Sequence, residues 1–226
     1  NNGTIDGFIV AIAEETQSLK EYKHFKDIMN SGTPIVMFDR VADGINCDKV
    51  VVDDFDSAYD ATSHLIKLGS KKIALLSTIQ NLSVGKLRLD GYKKALSDAN
   101  MSIDENLIIQ ETSIEDFDVQ LQQLISSKKM DAIFALDEHS STMTMRMALK
   151  QGIKIPEELN IIGFADGVWS RRLTPSLSTV SQHAPEIGAK AAELLIHKLN
   201  SKDEFYQPQT VVIKTELRQR ESTRKL

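Results

Sequence analysis

The sequence predicts an α/β protein built on parallel sheets, and three features of its 226 residues carry that expectation. Short, continuously apolar runs recur, such as Ile161, Ile162, Gly163 and Phe164, as strands covered on both faces require. They alternate with stretches of helical period, for example Ala58, Ala61, Leu65 and Leu68, so that helices join successive strands in right-handed crossovers. Some runs stop at a carboxylate, as before Asp166-Gly167 and Asp39-Arg40, and open α/β sheets hold ligands beyond the carboxyl ends of their strands.

In chain order, residues 5–12 form a strand and 19–30 a helix closed by Gly32, glycine being the usual residue just past a helix end. Residues 34–38 make a strand ending at Asp39-Arg40, and 49–52 another after the Asp43-Gly44 turn. Asp53-Asp54 caps a helix running to Leu68, stopped by Gly69. Strands over 73–76, 107–109 and 132–136 alternate with helices near 84–100, 116–127 and 140–151. The run at 161–164 leads through a loop with the only tryptophan, Trp169, to Thr174-Pro175 and an extended stretch over 177–180. Gln182 precedes a long helix, with Pro185 in its first turn and Ile187, Ala191, Leu194, Leu195 and Leu199 on one face. A strand over 210–217 and a polar tail over 220–224 complete the chain.

This length suits one large or two modest domains. A net charge of −5 argues against a nucleic-acid surface. No apolar run reaches membrane-spanning length and no secretory signal is visible. The single cysteine, Cys47, excludes an internal disulfide and fits a reducing cytoplasm. Enzyme motifs are missing. There is no Gly-x-Gly-x-x-Gly, Gly85-Lys86 lacks the surroundings of a phosphate-binding loop, and no nucleophile elbow occurs. The histidines at 24, 64, 139, 183 and 197 have no metal-ligand spacing, so neither a cofactor nor a metal is expected.

The stretch from Asn160 through Gly-Phe-Ala-Asp, Thr174-Pro175 and Leu177-Ser-Thr-Val180-Ser-Gln182 resembles the corresponding part of the lactose-repressor (LacI/GalR) family. So do Val50-Val51-Val52-Asp53, His64 to Ala74, Arg88-Leu89-Asp90-Gly91-Tyr92 and Gly152-Ile153-Lys154-Ile155-Pro156-Glu157, in the same order along practically the whole chain. The resemblance implies two interleaved Rossmann-like lobes of the type I periplasmic-binding-protein kind. Residues 1–52 with 181–208 would form the N-terminal lobe, incomplete at its start, and 53–180 with 209–226 the C-terminal lobe. It further implies a cytoplasmic homodimer that senses a sugar-like effector in the cleft between lobes, and operator DNA reached only through a headpiece that this chain does not carry. A periplasmic sugar-binding protein of a transport system is the alternative.

The same resemblance nominates the ligand-contacting positions. Arg88 lies on the inward face with Gly91, Tyr92 and Ala95, near the start of its helix, where a cation opposes the macrodipole. In the family the matching arginine forks onto ligand oxygens; the bland alternative is an exposed arginine on a frayed turn. Asp166 would be the carboxylate across from it, with Asp39 or Arg40 approaching from the other lobe, although Asp39 and Arg40 could equally do no more than close a turn. Losing Arg88 would then leave Asp166 and the ligand oxygens unpaired, at about 2–5 kcal/mol. Leu136 and Ala165 stand where the family has polar residues, which makes the site less polar. Leu82, Val84 and Phe164 add apolar cover, Gln182 stands at a passage between lobes, and Asp137 either contacts ligand or caps the helix at Ser140. Met143, Met147 and Trp169 are the expected dimer contacts, the methionines repeating at helical spacing. Trp169 could instead stack on a sugar ring, and the methionines could face their own sheet.

Overall fold

The computed structural model describes residues 5–164, 166–201 and 206–225. It divides into two compact units: residues 1–53 with 182–214, and residues 54–181 with 215–226.

In the first unit a four-stranded sheet runs in the order β1 (Phe8–Val10), β2 (Ile35–Phe38), β3 (Asp48–Val52), β9 (Thr210–Ile213), every neighbour parallel. Strand alternation sorts its side chains. Val36, Val50 and Val52 pack under α8 (Ala184–Asn200) with Ile187, Ala191 and Leu194. Ile35 and Met37 face the other way, onto Phe25, Ile28 and Met29 of α2 (Lys23–Asn30). The helix expected over 19–30 begins four residues later, as α2, and a further helix that was not expected, α1 (Glu14–Leu19), precedes it and ends where Lys20 adopts a left-handed backbone (φ 55°).

The second unit carries a six-stranded sheet. Its order is β10 (Glu216–Arg218), β8 (Ser178–Ser181), β7 (Asn160–Gly163), β6 (Ala132–Ala135), β4 (Ile73–Ser77), β5 (Ile108–Gln110). All pairs are parallel except β10 with β8. On one face Ala74, Leu76, Ile133, Ala135 and Ile161 meet α5 (Ile114–Ser127) and α6 (Glu138–Lys150). On the other Ile73, Leu75, Ala132, Phe134 and Ile162 meet α3 (Asp54–Lys67) and α4 (Ser83–Asp98). Burial on both faces is why the central strands β4, β6 and β7 are almost wholly apolar.

Further expectations are corrected. The stretch 210–217 is two strands in two sheets, so the third passage between units falls after Lys214 and not near Gln209. Val211 and Ile213 pack into the first unit and Leu217 into the second, and the intervening Lys214-Thr215 carries no turn signal. The polar tail is stitched into the sheet. Ser222 and Thr223 are buried, and the Ser222 hydroxyl accepts from the Ser178 amide at 2.8 Å and donates to the Ile161 carbonyl at 2.6 Å. The loop after β7 also contains a short helix, α7 (Val168–Arg172), where none was expected.

Candidate functional site

Arg88 and its surroundings follow from the packing of α4 on α3. A Cβ on Gly91 would lie 2.3 Å from the Phe55 carbonyl oxygen, so only glycine lets the helices approach this closely. Gly85 has the same role toward the loop before α4, where a Cβ would meet the Ile79 carbonyl oxygen at 2.1 Å. Between these two contacts Arg88 is turned inward and is 3% exposed. Its Nε donates to Asp54 Oδ1 at 2.7 Å and its Nη1 to the Leu136 carbonyl at 2.7 Å. Its guanidinium carbon sits 3.5 Å from the Phe164 ring centroid, a cation–π contact in a desolvated setting. Because α4 starts at Ser83, Arg88 lies in the second turn, where the opposing helix dipole has already faded.

The structure thus brings Arg88, Leu136 and Phe164 into contact, with Leu82 and Val84 buried on the first turn of α4 and just before it. Arg88 is not a frayed surface residue. Its first partner is Asp54, which the sequence offered only as part of a helix cap.

Asp166 is bound elsewhere. Its carboxylate accepts from Ser181 Oγ at 2.7 Å, Thr179 Oγ1 at 3.4 Å, Arg220 Nη2 at 3.1 Å and Arg218 Nη1. Burial alone would raise its pKa. The Ser181 hydrogen bond and the Arg220 and Arg218 guanidiniums outweigh that and hold the carboxyl below its ordinary range. The expectation that losing Arg88 would leave Asp166 unpaired is therefore corrected: these two residues belong to different networks. Arg218 and Arg220 were missed: Arg218 closes β10 and Arg220 follows it, at the start of the stretch expected to be a polar tail.

Asp137 caps α6. Its Oδ1 accepts from the Ser140 amide at 2.8 Å, completing a capping box with the Ser140 hydroxyl. Its Oδ2 accepts from the Thr78 amide at 2.8 Å, so it also ties the loop after β4 to the start of α6. In that same loop, the buried Gln80 side-chain oxygen has no hydrogen-bond partner among the described residues. No pattern in the sequence pointed to it. Ala165 lies outside the described residues.

In the first unit Asp39 follows β2 with a left-handed backbone (φ 55°), and its carboxylate stands 3.9 Å from Arg40 Nε, both side chains about a third exposed. The Arg40 carbonyl accepts from the Ile12 amide at 3.0 Å. Gln182 is the first residue of the first unit after β8. Met143, Met147 and Trp169 are half-buried, packed with Leu173 against the α5–α6 core, and the buried Trp169 indole nitrogen has no partner among the described residues. Among the described residues no three His, Cys, Asp or Glu side chains cluster as metal ligands would, and no helix is long and apolar enough to cross a membrane.

Residues 62–223 match the model of a periplasmic binding protein-like domain. The HTH-type transcriptional regulator DegA of Bacillus subtilis is 32% identical over 82% of this chain and 55% of its own length. The HTH-type transcriptional repressor PurR of Haemophilus influenzae is 30% identical over 90% of this chain and 60% of its own. The chain thus spans little more than half the length of these relatives. A LacI family transcriptional regulator from Enterococcus faecium, solved with bound ribose, superposes with a TM-score of 0.85 at 25% identity, covering 98% of this chain and 80% of that one. By sequence and by fold, the chain belongs to the periplasmic binding protein-like domain family, in the form found in LacI-type transcriptional regulators.

Proposed function

We propose that this chain is the effector-sensing and dimerising part of a LacI-type, DNA-binding transcriptional regulator and has no enzymatic role. Identity of 30–32% to DegA and PurR, spread over most of the chain, carries this reading. A transport-linked binding protein shares the fold, but the relatives and the structure named above are all regulators. The whole protein would act in the cytoplasm and reach its operator through a separate headpiece. This acidic chain alone should show no operator-specific retention in a gel-shift assay.

The effector class that fits best is a small, hydroxyl-bearing molecule such as a sugar or sugar derivative. In the second unit its contacts fall to the carboxyl edge of the sheet, with Leu82, Val84, Leu136 and Phe164 as apolar cover and Arg88 as a fixed donor. The unpaired Gln80 oxygen supports a ligand that donates a hydrogen bond, since a buried acceptor left unmade costs about 1–3 kcal/mol. In the first unit Asp39, Arg40 and Gln182 are the polar candidates. Asp137 and Asp166 already spend their carboxylates on protein donors, which lowers their standing as ligand acceptors. A thermal-shift screen of sugars followed by calorimetry tests the reading; no stabilisation by any sugar, against a clear shift with a different ligand class, would replace the effector class.

Dimerisation would use the half-buried patch of Met143, Met147 and Trp169, to which Leu149 of α6 and Val168 of α7 add exposed apolar surface. Adaptable methionines and a tryptophan suit such a contact. Light scattering that finds only monomer at about tens of micromolar would remove it.

A further inference from the structure

We propose that Asp166 and the Arg88–Asp54 pair are positioning residues that anchor, on the second unit, every point where the chain passes between units. The inference rests on the fold alone and holds whatever the effector is. The three passages lie at 53/54, 181/182 and 214/215. At the first, Asp54 is the opening residue of the second unit, 3% exposed and held by Arg88 Nε at 2.7 Å. At the second, Ser181 is the closing residue, and its hydroxyl donates to Asp166 at 2.7 Å. At the third, the chain re-enters the second unit and immediately pairs antiparallel with the strand that has just left it, Glu216 opposite Ser181 and Arg218 opposite Thr179. Arg218 and, two residues on, Arg220 reach the same Asp166 carboxylate.

One carboxylate, Asp166, therefore fastens the second and third passages, and another, Asp54, fastens the first. On the first-unit side of the first and third passages, Asp53 and Lys214 form their own ion pair at 3.1 Å. The passage bonds Asp53–Asp54, Ser181–Gln182 and Lys214–Thr215 lie next to these contacts. A carboxylate is suited to the task because it can accept several hydrogen bonds at once, and bonds to guanidinium are both strong and directional. Apolar packing would hold the strands as tightly without fixing where they stop being held.

Backbone amide hydrogen exchange on the folded chain tests the assignment, because it reports local opening residue by residue. In Asp166→Asn, exchange at 179–182 and 216–218 should rise about tenfold or more, while β4 and β6, in the same sheet, stay at the level of the unaltered protein. Ser181→Ala removes a single contact and keeps the carboxylate; it should give a smaller, several-fold rise confined to the second passage. Arg218→Lys, which preserves the charge, should retain much of the protection that Arg218→Gln loses. Should Asp166→Asn fold poorly, the Ser181 and Arg218 variants carry the test. Exchange that rises evenly across the sheet would mark Asp166 as an ordinary stabilising residue, and unchanged exchange at the passages would mark it as no anchor; either result overturns the proposal.

Discussion

Two arginine–carboxylate networks sit in the same unit and differ mainly in how far water reaches them. Arg88 and Asp54 are 4% and 3% exposed in their side chains, whereas Asp166 is 18%, Arg220 14% and Arg218 37% exposed. In the buried network one guanidinium meets one carboxylate, and the Leu136 carbonyl and Phe164 ring complete its surroundings. In the wetter one, a single carboxylate is shared by two guanidiniums and two hydroxyls. Removing half of a buried pair strands the other charge in a medium that cannot solvate it, while a network open to water can be repaired by solvent.

The largest effect should therefore come from Arg88→Ala. It leaves Asp54 buried without its cation, at a cost of about 3–5 kcal/mol in unfolding free energy, measured by denaturant titration. Replacing both partners, as in Arg88→Met with Asp54→Leu, should recover most of that loss, because an apolar pair of similar volume carries no desolvation penalty. A double variant as unstable as Arg88→Ala would show instead that the contacts to Leu136 and Phe164 matter more than the ion pair.

How much of this could be read from the chain depends on range. The central strands of the second unit, β4, β6 and β7, were legible because a sheet covered on both faces leaves apolar runs. The inward turn of Arg88 was legible because Gly91 and Tyr92 fix which face of α4 is buried. Its partner was not, since Asp54 lies 34 residues away and meets Arg88 only once the two helices pack. Asp137 as a cap was legible because capping is local. Asp166 misled, because a carboxylate beyond a buried strand suggests a ligand wherever the chain's own arginines are not considered. Those arginines stand just past the strand expected over 210–217 and at the start of the expected polar tail, and neither the sheet change at Lys214-Thr215 nor the burial of Ser222 leaves a local mark.

The second effect is smaller and depends on pH. Asp166→Asn should cost about 1–2 kcal/mol at neutral pH, taking the value for a hydrogen bond to a charged group and discounting it for the exposure of Arg218. The folded state holds the Asp166 carboxyl below its ordinary pKa, so the contribution is complete above the unfolded value of about 3.9. It is lost as pH falls through the lower folded value. Stability curves of the unaltered protein and of Asp166→Asn should therefore run apart at neutral pH and converge in acid. A gap that stayed constant down to low pH would mean that the loss comes from altered packing and not from the charge.

The smallest effect on stability is expected at Asp39, and it sharpens the contrast from the other end of the exposure scale. Its carboxylate and the Arg40 guanidinium are each 34% exposed, and at 3.9 Å they attract without sharing a hydrogen bond. Such a pair gains little, because water screens it and ordering two side chains costs entropy. Asp39→Asn also keeps a residue type that tolerates the left-handed backbone at this position (φ 55°), so no strain is added. Unfolding should shift by less than about 0.5 kcal/mol. That leaves the variant free to report on the effector: calorimetry with a sugar identified by thermal shift should show weaker binding in a protein of unchanged stability. If the fold is destabilised as much as by Asp166→Asn, Asp39 is tied into the first unit more firmly than its geometry implies. If neither stability nor binding moves, Asp39 and Arg40 close a turn and do nothing further, and the polar contacts of the first unit fall to Gln182.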